Sequence, residues 1–177
     1  ILTLLCFNLK SFSQNHNVDS LSIALKNSKE DTTKVNLLNS LCRESKNSGD
    51  FDKADQYGNQ ALVLSKKLNF RKGEAKAYNN IGIVFESRGD AQNALKNYLV
   101  ALNIRLEIAD KNGIAGSYNN IGNIYYSQGN YSDALKNYRS SLLAWTELND
   151  KNGMALSFMN IGNVYNLKGN YSKGLKN

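Results

Sequence analysis

The chain has 177 residues, of which 41% are hydrophobic and 21% charged, with a formal net charge of +7 and no proline. Ten Tyr and six Phe supply apolar surface for a packed core, which argues against a disordered chain. Because proline breaks helix interiors, its absence predicts long helices and an all-α fold. Only Cys6, Cys42 and His16 could offer soft metal ligands, and they are too few and too widely spaced for a zinc site or a disulfide framework. We therefore expect no metal and no cofactor.

The first residues have the pattern of a targeting segment. An apolar run over residues 1–7 is followed by Ser11 and Ser13, the small residues that favour signal-peptidase cleavage. The run is too short to span a bilayer. We predict a signal peptide over residues 1–13 and export to the periplasm or cell envelope. An uncleaved apolar helix in a cytoplasmic protein is the alternative. Residues 14–32 form an N-terminal segment with a predicted short helix from about Val18 to Ser28.

The rest of the chain repeats with a period of 40 residues. Residues 73–112 and 113–152 are identical at 19 of 40 positions, and residues 153–177 match 113–137 at 15 of 25. A more diverged copy occupies residues 33–72. A fixed period of this length is typical of solenoids, in which each repeat packs on its neighbours. The domain prediction is thus three full repeats (33–72, 73–112 and 113–152) and a truncated fourth (153–177).

Each repeat is predicted to form two amphipathic helices. Tyr118, Ile121, Gly122 and Tyr125 recur at helical spacing before Gly129, and a second apolar stripe follows it. The glycine suits the left-handed position that ends a helix, and the Asp or Asn after it suits the cap of the next helix. Between repeats, we interpret residues 110–113 and 150–153 as turns.

These residues resemble the tetratricopeptide repeats. The family places an aromatic residue, Leu-Gly and Tyr on its first helix, and Ala, an aromatic and Ala on its second. The second repeat matches this order with Tyr78, Ile81, Gly82, Phe85, Ala94, Tyr98 and Ala101. The longer period is similar to kinesin light chains, spindle-orientation adaptors and bacterial signalling proteins. The resemblance implies a right-handed superhelical solenoid of antiparallel helix pairs, whose first helices line a concave groove.

We expect the polar stripe of the first helices to face that groove. Its candidate peptide-binding residues are Asn39, Arg43, Lys76, Asn79, Asn119, Asn123, Tyr126 and Asn163. A ladder of amides runs beside the stripe at Asn80, Asn120 and Asn160. Amide side chains both donate and accept hydrogen bonds, so the ladder could hold a peptide backbone or could bond neighbouring helices to each other. Both readings are open at the level of sequence.

The sequence predicts binding without catalysis. The repeats contain no His, no GxxxxGK[ST] phosphate loop and no distinctive acidic cluster, so we assign no catalytic residue. The predicted partner is a protein or peptide in the groove, including another domain of the same polypeptide. The predicted role is the N-terminal sensor or interaction region of a longer bacterial signalling protein, with further repeats, and any membrane span, in a downstream segment.

Two alternatives follow from charge and from the resemblance. One is a nucleic-acid-associated regulator that uses basic helix faces, of which Lys66, Lys67, Arg71 and Lys72 form the densest. We disfavour it, because Lys96, Lys136 and Lys176 recur once per repeat as solubilising charges would. The other is a regulatory array attached to a downstream histidine kinase or cyclase.

Overall fold

The computed structural model describes residues 18–167, and these residues form eight helices and no strand. The all-α prediction is confirmed. The signal peptide predicted over residues 1–13 and the second helix of the fourth repeat lie outside the described residues. The chain divides into two compact units, one ending at Gly89 and the other beginning at Asp90. The division falls between the two helices of the second repeat.

The first unit contains four helices. Helix α1 covers residues 18–26, close to the predicted short helix. It is followed by α2 (Thr32–Asn47), α3 (Phe51–Lys67) and α4 (Arg71–Ser87). The connections from α2 to α3 and from α3 to α4 have three residues each, and such short connections make consecutive helices pack as antiparallel neighbours. Helix α2 packs on α3, α3 packs on α4, and α2 also contacts α4, the first helix of the next repeat.

The second unit contains α5 (Ala91–Glu107), α6 (Lys111–Ser127), α7 (Tyr131–Glu147) and α8 (Lys151–Leu167). Each helix packs on the next one along the chain. The bounds of α4, α6 and α8 recur at intervals of 40 residues, as do those of α3, α5 and α7. The structural period is therefore the period of the sequence.

The predicted break inside each repeat is confirmed in the first three repeats. Gly49, Gly89 and Gly129 have φ angles of 82°, 81° and 74°, in the left-handed region that glycine adopts without a steric cost. The residue after each glycine caps the next helix, and its side chain accepts a backbone N–H three residues later: Asp50 from Lys53, Asp90 from Asn93, and Asn130 from Asp133.

The predicted break between repeats is wrong by about two residues. Asp110 is the N-cap of α6, and Lys111, Asn112 and Gly113 form its first turn instead of a loop. Asp150 likewise caps α8 by accepting the N–H groups of Asn152 and Gly153. The chain reverses just before α4, α6 and α8, where Asn69, Ala109 and Asn149 have φ angles of 52°, 52° and 54°. Glycine is typical of turns, but Gly113 lies in the first turn of α6 and allows close packing, since a Cβ atom there would lie 2.7 Å from Arg105 Cδ.

The core of the first unit lies between α2, α3 and α4. Val35, Leu38, Ala61, Leu64 and Ala77 form one buried cluster. Partly buried Leu25 of α1 packs against it. A second cluster joins Cys42, Ala54 and Val84. Small residues allow these helices to approach closely: a Cβ atom placed on Gly58 of α3 would lie 2.9 Å from Ile81 Cγ1.

The core of the second unit is built on Tyr138. Its ring is 2% exposed and lies in a cluster with Ala134, Leu135, Ile161 and Val164. The ring of Tyr138 fills the space beside Gly122, since a Cβ atom on Gly122 would lie 2.6 Å from Tyr138 Cε1. The glycine is required by an aromatic ring on the partner helix.

Cys42 gives a direct test of packing in the first unit. Its side chain is fully buried, and burial raises the pKa of the thiol from its ordinary 9.0 to about 12. The thiolate fraction at neutral pH then falls about a thousandfold, and the thiolate is the reactive form. In the Cys6→Ser variant, which leaves one thiol, we expect Cys42 to react with DTNB only as fast as the unit opens. Immediate labelling is expected in denaturant, and equally fast labelling of the native chain would contradict the burial.

Candidate functional site

The first helices of the repeats bring the predicted stripe residues onto one surface within each unit. In the first unit α2 contributes Arg43, and its neighbour α4 contributes Lys76 and Asn79. Arg43 and Lys76 are exposed and Asn79 is half-buried. These three positions agree with the predicted stripe. Whether they bind a peptide stays a prediction.

Asn39 does not lie on this surface, and its assignment to the exposed stripe is wrong. Its side chain is 0% exposed. The amide Nδ2 donates to the carbonyl of Val35 at 3.1 Å and to that of Gly73, on the neighbouring first helix, at 3.3 Å. A buried amide is stable only when its polar atoms are bonded, and α4 supplies the partners. Asn39 thus joins α2 to α4 and is closed to a ligand in this conformation.

The amide ladder is engaged in the same network. Asn80 is 7% exposed, and its Nδ2 lies 3.0 Å from both the backbone carbonyl and Oδ1 of Asn39. In the second unit Asn160 Nδ2 donates to Asn119 Oδ1 at 2.8 Å. Each amide therefore bonds the asparagine 41 positions earlier, on the first helix of the preceding repeat. At Asn80 and Asn160 the bond between helices is present. Asn120 is a half-buried residue of α6.

A cavity opens between α2 and α4 beside Asn80. It has a volume of about 180 Å³. Its lining combines apolar Cys42 and Ile83 with the polar or charged side chains of Arg43, Lys46, Asn47 and Asn80. This cavity is a feature that the helical stripe alone did not predict, since it depends on the spacing of two helices from different repeats.

Positive charge is concentrated around that cavity. Arg43 forms a surface ion pair with Glu44 at 3.2 Å, whereas neither Lys72 nor Lys76 has an ion pair among the described residues. Partial burial of the Lys76 side chain lowers its pKa, and the neighbouring charges of Arg43 and Lys72 lower it further. Lys72 was absent from the predicted site. Its position one helical turn before Lys76 was the available signal.

The corresponding surface of the second unit is uncharged. Asn123 and Tyr126 of α6 are half-buried, and Asn163 of α8 is exposed. Asn123 Oδ1 accepts a hydrogen bond from Tyr138 Oη at 2.9 Å, and the Tyr126 ring lies 5.8 Å from that of Tyr131. Two apolar side chains of α8, Leu156 and Met159, are 42% and 55% exposed. This surface offers amides and apolar groups, and it has no charge among its stripe residues.

The described residues hold no group of three or more His, Cys, Asp or Glu side chains placed to bind a metal ion. In the same part of the chain, the longest apolar stretches of helix fall short of what a membrane crossing requires.

Comparison with known proteins shows which family part of the chain matches. Residues 113–175 match the model of the tetratricopeptide repeat family. BtubC (BKLC) from P. vanneervenii is 22% identical, with a TM-score of 0.79 over 95% of this chain and 71% of its own. No curated protein matches the sequence. The predicted resemblance to tetratricopeptide repeats is confirmed over residues 113–175.

Two further solved structures share the fold. The Signal Transduction ATPase with Numerous Domains protein with a tetratricopeptide repeat sensor, from Pyrococcus horikoshii, is 19% identical, with a TM-score of 0.82 over 98% of this chain and 27% of its own. A Rap protein complexed with Competence and Sporulation Factor is 18% identical, with a TM-score of 0.83 over 97% of this chain and 49% of its own. At these identities the likeness establishes the fold alone, and the chain spans half or less of both proteins.

Proposed function

We propose that this chain is a non-catalytic binding array, and that in each unit the surface formed by the first helices holds a peptide or an extended segment of another protein. The observation that carries the proposal is the contrast within each surface. Buried amides such as Asn39 bond the helices together. To solvent, the first unit presents the charges of Arg43 and Lys76, and the second presents apolar Met159 and the amide of Asn163. A helical surface with exposed, varied side chains suits recognition of another chain.

The structural neighbours support the same proposal. One is a Rap protein in complex with Competence and Sporulation Factor, and another uses its tetratricopeptide repeats as a sensor. We propose on this basis that the chain is the sensor or interaction region of a longer bacterial signalling protein. The array would then report the bound partner to another domain.

The basic cluster of the first unit gives less support to a nucleic-acid partner. Lys66 Nζ lies 2.9 Å from Tyr78 Oη, and Lys67 pairs with Glu30 at 2.6 Å. Arg71 pairs with Glu74 at 2.7 Å. Three of the four cations thus have partners within the unit, and a duplex would have to compete with them. This arrangement favours a protein partner.

The proposal is tested by selecting peptides from a random library with the purified chain and measuring their affinity by fluorescence anisotropy. For a peptide that binds the second unit, we expect Met159→Ala with Asn163→Ala to weaken binding about tenfold or more, because these residues project from the proposed surface. The matched control is Leu143→Ala with Lys136→Ala, which alters exposed residues of α7, the second helix of the third repeat. Equal effects of the two pairs, or no selected peptide, would overturn the proposal.

A further inference from the structure

The first unit carries a cationic patch, which we define as Arg43 and Lys46 of α2 together with Lys72 and Lys76 of α4. Residues 43 and 46 are one turn apart on their helix, as are residues 72 and 76 on theirs. Arg43 and Lys46 line the 180 Å³ cavity, and Lys76 lies close enough to Arg43 and Lys72 for their charges to lower its pKa. Glu44, paired with Arg43, is an acidic side chain beside it. Glu86 of α4 is about 15 Å along the helix axis from Lys76 but only one turn beyond Ile83, which lines the cavity, so negative charge is also present at that end of the cavity.

The charges in this patch are poorly compensated by the chain itself. Lys72 and Lys76 form no ion pair with any described residue. The pKa of Lys76 is lowered by partial burial and by the nearby charges of Arg43 and Lys72, so the cations repel one another. An incoming anion would relieve that repulsion, and part of its binding free energy would come from doing so.

The cavity indicates what kind of anion fits. Cys42 and Ile83 give it an apolar wall, and Arg43 and Lys46 give it a charged rim. A glutamate side chain has the same two parts, an aliphatic stem and a carboxylate, so that its stem can contact Ile83 while its carboxylate pairs with Arg43. Nucleic acid fits less well, because the predicted stripe residues of α2 and α4 include no aromatic ring on which a base could stack.

We propose that the cationic patch binds an acidic segment of an extended polypeptide through glutamate side chains, with one of them seated in the cavity beside Ile83. The charges are spread over two helices and at least one turn of each, which suits several carboxylates along a chain better than a single terminal carboxylate. This inference rests on the proposed function and specifies the partner for the first unit.

The test uses the full chain and a fluorescein-labelled peptide of eight glutamates, with acetylated and amidated ends. We expect the Arg43→Gln, Lys76→Gln double variant to weaken binding about fivefold or more, and added salt to weaken binding to the wild type. The matched control, Lys96→Gln with Lys136→Gln, removes the same charge from exposed second-helix positions and should change affinity less than about twofold. Ile83→Ser should also weaken binding, because it removes the apolar wall. Circular dichroism checks that every variant is folded.

Three results would overturn the proposal. The first is equal loss of affinity in both double variants, which would mean that only net charge matters. The second is equal or tighter binding of an octaglutamine peptide with a free C-terminal carboxylate, which would assign the patch to a chain terminus. The third is tighter binding of an eight-nucleotide oligouridine, which would assign it to nucleic acid. If library peptides bind the second unit while octaglutamate does not bind, this inference fails and the proposed function stands.

Discussion

The Gly122→Ala variant is expected to lower the free energy of unfolding by about 1–3 kcal/mol, although alanine is the better helix former. The added methyl group would lie 2.6 Å from Cε1 and 2.7 Å from Cδ1 of Tyr138. That ring is 2% exposed, and its hydroxyl donates to Asn123 Oδ1 at 2.9 Å. The ring is therefore held at both ends, and moving it would disturb the packing of α7 against α8 as well as that hydrogen bond.

Gly116 provides a matched control on the same helix. A Cβ atom at Gly116 has no heavy atom from another part of the chain within 4 Å. Gly116→Ala should therefore raise the free energy of unfolding by about 0.5–1 kcal/mol through helix propensity alone. Urea unfolding followed by circular dichroism measures both variants. If Gly122→Ala stabilised the chain as much as Gly116→Ala, the close approach of Tyr138 would be contradicted.

The sequence was sufficient to predict the structural features that depend on local chemistry and recur at a fixed interval. Glycine followed by Asp or Asn predicted the left-handed turn at Gly129 and the cap at Asn130, because these residues fix their own backbone and neighbouring N–H groups. The reversal at Ala109 could not be predicted in this way. Alanine rarely adopts a positive φ, so the residue type at position 109 gives no local signal for its φ of 52°.

Features that depend on two repeats meeting were harder to predict. The helical stripe placed Arg43 and Lys76 correctly at the surface, because exposure follows from the period of one helix. The same stripe placed Asn39 at the surface as well, but Asn39 is fully buried. Asn119, at the same position of the third repeat, is only half-buried. Both asparagines accept a bond from the amide 41 positions later, and Asn39 in addition donates to the Gly73 carbonyl of the neighbouring helix. No rule confined to one helix contains that information.

The asparagine network leads to a second prediction with a large expected effect. Asn39→Ala should lower the free energy of unfolding by about 1–3 kcal/mol, because it leaves the Asn80 amide and the Gly73 carbonyl short of buried partners. Asn119→Ala is the control at the same repeat position. Asn119 accepts the equivalent bond from Asn160, but water can reach the half-buried site, so the loss should stay below about 1 kcal/mol.

A double-mutant cycle separates the hydrogen bond from the lost volume. If Asn39 and Asn80 bond each other as the 3.0 Å distances indicate, replacing both with alanine should cost less than the sum of the two single changes. Urea unfolding of the four proteins gives the coupling, which we expect at about 0.5–3 kcal/mol. Strict additivity would show that the bond between the two side chains adds no stability, and that Asn80 is held by other contacts, such as its bond to the backbone carbonyl of Asn39.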